Sequence, residues 1–169
     1  NVAVIESSAQ GLDTGISYST HVGLGLKVDY SHANVLERAL RFRSLLDLNE
    51  KRQRLRLSVD TPPRPGGVWS TYTAELERSD VQGLISRAAM VEYAHNWGLE
   101  RVPSRLFVAG RVEERSIEGF GREDAHAVFV GYRKTYRTTD EVVNPREGLI
   151  GTVEVGAGLP AVSSRTFAR

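Results

Sequence analysis

Apolar and polar residues alternate with a period of two along almost the whole chain, which confines it to strands with two unlike faces. The clearest run is Val22 to Tyr30. Val22, Leu24, Leu26, Val28 and Tyr30 share one face, and Gly23, Gly25, Lys27 and Asp29 share the other. The same reading sets Leu40, Phe42, Leu46 and Leu48 against Arg41, Arg43 and Asp47. It sets Leu55, Leu57 and Val59 against Arg54, Arg56 and Ser58, and Val68, Tyr72, Ala74 and Leu76 against Thr71, Thr73, Glu75 and Glu77. Further on, Leu106, Val108 and Val112 oppose Arg111 and Glu113; Val128, Val130 and Tyr132 oppose Gly131 and Arg133; Gly151, Val153 and Val155 oppose Thr152 and Glu154. One stretch, Val81 to His95, also admits a helical reading through Leu84, Ala88, Ala89 and Val91.

Turn formers separate the runs: Ser31–Asn34, Asn49–Lys51, Pro62–Gly67, Gly119–Gly121 and Asn144–Gly148. Pro62, Pro63 and Pro65 cannot donate ladder hydrogen bonds, so their segment lies outside a sheet. The expected fold is all-β, an antiparallel meander of about nine strands, each of about the length that crosses a bilayer when tilted.

Composition trims the alternatives. The 22 basic and 21 acidic residues leave a net charge of +1, without the basic excess of a dedicated nucleic-acid binder. No cysteine is present, so neither a disulfide framework nor a thiolate metal site is available. His21, His32, His95 and His126 have no metal-ligand spacing, no nucleophile elbow or phosphate loop occurs, and no cofactor is expected. Glu75–Glu77 and Glu113–Glu114 could serve acid–base chemistry, but balancing nearby arginines is the plainer role, and no enzyme is expected. No run approaches the roughly 18 apolar residues of a spanning helix, a test that is blind to barrels, whose strands are only half apolar. Asn1–Glu6 lacks the basic start and apolar core of a leader, so the chain is expected to begin inside a longer protein.

Alternation alone leaves two solvents open. In a soluble sandwich or small barrel the Leu and Val faces would point inward; in a membrane barrel they would meet lipid. Aromatics are sparse at 8%, whereas a soluble sandwich leans on buried aromatic anchors. Tyr18, Tyr30, Tyr93, Tyr132 and Tyr136 are expected near strand ends, as in an interfacial girdle.

Several segments in order carry a family resemblance: Val2–Glu6, Gly15–Thr20 and the strand from Gly23 to Tyr30, then His32–Arg38, Glu77–Gly83, and Asn144–Gly148 followed by Val153–Gly156. They resemble the passage from the last POTRA domain into the barrel of the BamA/TamA barrel family, and within it the TamA members. His32–Arg38 resembles that family's first periplasmic turn, with Glu37 and Ala39 where glycines are usual.

The resemblance implies that residues 1–10 end the last POTRA domain and that residues 11–169 form the N-terminal part of an outer-membrane barrel of about sixteen strands. It implies a factor that helps autotransporters and other nascent outer-membrane proteins insert through a lateral seam. Gly15, Ile16, Ser17, Tyr18 and Ser19 would belong to the seam strand, which lies in a glycine-rich neighbourhood with Gly11, Gly23 and Gly25. Lys27, Arg41, Arg43, Arg54, Arg56, Glu75, Arg111, Glu113 and Arg133 would be luminal charges. The partners implied are outer-membrane lipid and a TamB-like inner-membrane-anchored protein. A two-partner secretion transporter, a passive pore and a soluble binding domain are the alternatives.

Overall fold

The computed structural model describes residues 9–20, 23–81, 83–98, 102–117, 121–138 and 148–164. The expected end of a POTRA domain, Val2–Glu6, lies outside them, as do most of the Gly119–Gly121 and Asn144–Gly148 turns.

Nine antiparallel strands form one sheet in sequence order: β1 (Gln10–Ser19), β2 (Gly23–Val35), β3 (Leu40–Asn49), β4 (Arg52–Asp60), β5 (Trp69–Val81), β6 (Leu84–Trp97), β7 (Ser104–Ile117), β8 (Gly121–Arg137) and β9 (Ile150–Gly158). The all-β meander expected from alternation is the observed architecture. A single 3-10 turn at Pro160–Val162 is the one helical element among the described residues.

The helical reading of Val81–His95 fails, because that stretch supplies β6. Small residues on both of its faces (Ala88, Ala89, Ala94) blur its alternation, and long ladders with β5 and β7 fix it as a strand. The expected turn at Ser31–Asn34 also moves. Ser31 and His32 stay paired with Arg43 and Phe42, a bulge follows, and the chain reverses at Leu36–Ala39. There the Asn34 side-chain oxygen accepts the Ala39 N–H at 2.8 Å. Leu36, Glu37 and Ala39 all hold φ near +55°, between 53° and 56°, a region that costs non-glycine residues energy.

β9 is much shorter than β8, and the following segment covers part of the β8 edge that it leaves. The Ser163 and Ser164 hydroxyls accept the Val128 and His126 N–H groups at 3.1 and 3.0 Å. Buried apolar side chains are few among the described residues: Ala94, Phe107 and Ala109, all on the charged face of β6 and β7. Phe107 fits because Gly131 opposite has no side chain, and its ring meets Phe129 edge-on at 6.2 Å.

Candidate functional site

The two faces of the sheet have exchanged the solvents expected of a soluble protein. Large apolar residues on one face are exposed, including Ile16 at 81%, Val91 at 64% and Val153 at 68%. Thr71, Glu75 and Asn96 on the other face are buried. No second layer covers the apolar face among the described residues. In water that arrangement leaves a large apolar surface exposed; facing hydrocarbon, it is the stable one.

Pairing register adds a sharper test. The row beginning Ile16, Leu26 and Leu48 continues through Gln53, Arg78, Arg87, Glu114 and Asp124. It starts apolar and ends charged. Another row on the same face starts with Gln10 and His32, passes Phe42, Val59, Tyr72, Tyr93, Val108 and Val130, and ends at Ala157. That one starts polar and ends apolar. The apolar belt therefore crosses the rows obliquely, as a flat hydrocarbon slab must cut a sheet whose strands tilt around a barrel.

Aromatics gather along one border of the belt. Tyr30 meets Phe42 at 6.2 Å, Tyr72 meets Tyr93 at 5.2 Å, and Trp97 lies 5.7 Å from His95 and 6.0 Å from Tyr132. Tyr30 and Tyr132 sit well inside long strands rather than at strand ends; the belt border crosses the strand there.

Strand parity places Lys27, Arg41, Arg43, Arg54, Arg56, Glu75, Arg111, Glu113 and Arg133 together on the sheltered face. β4 and β5 lock there through an ion ladder. Arg54 stands opposite Glu77, and Arg56 opposite Glu75. Arg56 reaches Glu75 at 2.5 Å, Arg54 reaches Glu77 at 3.2 Å and Glu75 at 3.5 Å, and Arg52 adds a bond to Glu77 at 2.9 Å. Glu75, at 7% exposure, thus lies between two guanidinium groups.

Arg43 pairs with Asp60 at 2.6 Å. Asp60 also accepts the Thr71 hydroxyl at 2.7 Å, and Thr71 in turn accepts an N–H from Asn96 at 3.0 Å. Glu113 joins Arg111 and Arg115 at 3.2 and 2.6 Å. Arg105 pairs with Glu92, and Arg133 with Glu154. Lys27 and Arg41 make no ion pair among the described residues.

Gly15, Ile16, Ser17, Tyr18 and Ser19 occupy the second half of β1, exposed throughout. β1 pairs only with β2 among the described strands, so it is an edge strand of the described sheet. A side chain at Gly15 would touch nothing, whereas one at Gly25 would overlap Asn49 and Ser17. A side chain at Gly25 would therefore need the Asn49 and Ser17 side chains to turn aside, whereas one at Gly15 would need nothing to move.

The alternation reading missed a group of charges on the apolar face, among them Arg78, Asp80, Arg87, Glu114, Arg122 and Asp124. Arg78 keeps the phase of Tyr72, Ala74 and Leu76, which was the signal available; its meaning depends on where the belt ends on β5. No metal-binding cluster occurs among the described residues.

No protein-family model matches the chain, and no curated protein does. Among solved structures, a crystal structure of BamA from Haemophilus ducreyi lacking POTRA domains 1–3 is similar, with a TM-score of 0.80 and 12% sequence identity. The likeness is one of fold, and it covers 95% of this chain and 36% of that one.

Proposed function

We propose that this chain is the N-terminal part of an outer-membrane barrel of the BamA/TamA type, which assists insertion or secretion of autotransporters and other outer-membrane proteins. The observation that carries the reading is the inverted sheet: an exposed apolar belt oblique to the register, backed by a sheltered charged face. Sequence resemblance favours the TamA members within that type, and the fold likeness to BamA supports the barrel.

The position of β1 at the edge of the described sheet supports a mechanism that needs neither cofactor nor nucleotide. A client strand entering hydrocarbon carries unpaired N–H and C=O groups, which are costly there. β1 can satisfy them by adding the client as a neighbouring strand. Its exposure and its glycines lower the cost of opening a seam at that edge. The charged face would line the lumen, with Lys27 and Arg41 free to meet other segments of the protein. A TamB-like inner-membrane-anchored partner and a preceding POTRA domain belong to the same reading.

The test is a photocrosslinking amino acid placed at Ser17 or Ser19 in the full protein, expressed in cells making an autotransporter. Adducts with the client are expected at these positions and not at Leu57 in the middle of the belt. Equal yields at all three positions, or no client adduct at β1, would remove the seam from the mechanism.

A further inference from the structure

We propose that Arg78 and Arg87 bind the phosphate of an anionic membrane lipid whose acyl chain lies along the apolar face beside them. This rests on the membrane reading of that face. The two arginines stand directly opposite each other in the β5–β6 ladder, and like charges so placed repel. Arg87 meets Glu114 at 3.5 Å; Glu114 also meets Arg122 at 3.1 Å, and Arg122 meets Asp124 at 3.1 Å. That chain balances its charges internally. Arg78 is left over: it makes no ion pair among the described residues, not even with Asp80 two positions along on the same face.

What lies beside the pair completes a lipid-shaped site. Leu48, Leu55, Leu76, Ala89 and Val112 line an open trough of about 670 Å3, with Arg78 and Arg87 among its lining residues. The volume suits a small hydrophobic ligand. The arginines sit two pairing steps beyond Leu76 and Ala89, the next pair on that face, at the border where the belt turns from apolar to charged. At that depth a headgroup meets the protein, and long cationic side chains reach out to it. A guanidinium fork matches phosphate oxygens, so a phosphate between the two arginines replaces repulsion with charge-assisted hydrogen bonds. The apolar trough commits the site to a lipid phosphate rather than a free one.

The full protein is purified in dodecylmaltoside and offered equal amounts of phosphatidylglycerol and phosphatidylcholine with identical acyl chains. Native mass spectrometry counts the lipids retained. Preference for phosphatidylglycerol is expected, falling about fivefold with Arg78→Gln and again with Arg87→Gln, and unchanged by Arg38→Gln in the distant β2–β3 turn. Charge reversal in Arg78→Glu pairs with Arg87 in place of lipid and is expected to abolish the preference.

Equal retention of both lipids, or a preference that survives all three belt substitutions, overturns the proposal. Displacement of phosphatidylglycerol by millimolar inorganic phosphate would mark a free-anion site and overturn it too. Failure of the membrane reading looks different: the protein would stay in solution without detergent and retain neither lipid.

Discussion

An arginine placed on either face of the sheet distinguishes a lipid-facing belt from a water-facing one. Ala74 lies mid-belt on β5, exposed, between Tyr72 and Leu76 along the strand and between Leu57 and Val91 across it. If that face meets hydrocarbon, Ala74→Arg costs about 2–4 kcal/mol, or roughly 30- to 1,000-fold in the folding equilibrium at 1.4 kcal/mol per factor of ten. If it meets water, the cost stays within about 0.5 kcal/mol. Ala88 on β6 is the matched control, because it faces the other way, between Glu77 and Glu113. An arginine there gains two carboxylate neighbours, although both already hold arginines. The net change at Ala88 is expected to be at most about 1 kcal/mol. Urea titration of the full protein refolded into phosphatidylcholine vesicles, followed by tryptophan fluorescence, reads both values. Equal costs at the two positions, or a neutral Ala74→Arg beside a costly Ala88→Arg, would refute the assignment of faces.

Other substitutions test the packing by the same titration. Glu75→Gln leaves Arg54 and Arg56 facing a neutral amide in a buried position and is expected to cost about 1–3 kcal/mol; Arg43→Gln, at an exposed guanidinium, should cost less than about 1 kcal/mol. Ala39→Gly relieves a residue held at φ +53° and should stabilise by about 1 kcal/mol, with a higher urea midpoint and unchanged slope. Gly131→Ala drives a methyl group into the Phe107 ring and should cost about 1–3 kcal/mol. Gly15→Ala meets open space, so stability should hold; slower amide exchange in β1 together with weaker client crosslinking at Ser17 would tie strand looseness to the seam.

Much of the fold was legible because strand parity is a local property. Once Leu24 and Leu26 fix a phase, Gly25 and Lys27 must face the other way, and the charged residues that alternation sets apart do share one face. Two parts were not legible, for different reasons. β6 has small residues on both faces, so Ala88 and Ala89 carried little phase information until β5 and β7 paired with it. The β2–β3 turn moved because His32 and Ser31 gain partners on β3, and local turn propensity yields to a ladder.

The sequence by itself determined that this chain makes strands, where most of them break, and which side chains travel together, since side-chain direction follows from backbone period alone. It did not determine which face is sheltered, which arginine meets which glutamate, or where the belt ends on each strand. Those depend on register and curvature, which couple residues far apart in the chain. Arg54 and Glu77 are 23 positions apart and become neighbours only when β4 and β5 align. The apolar belt likewise emerges only across several strands at once, because the stagger between neighbours turns nine separate alternations into one continuous band.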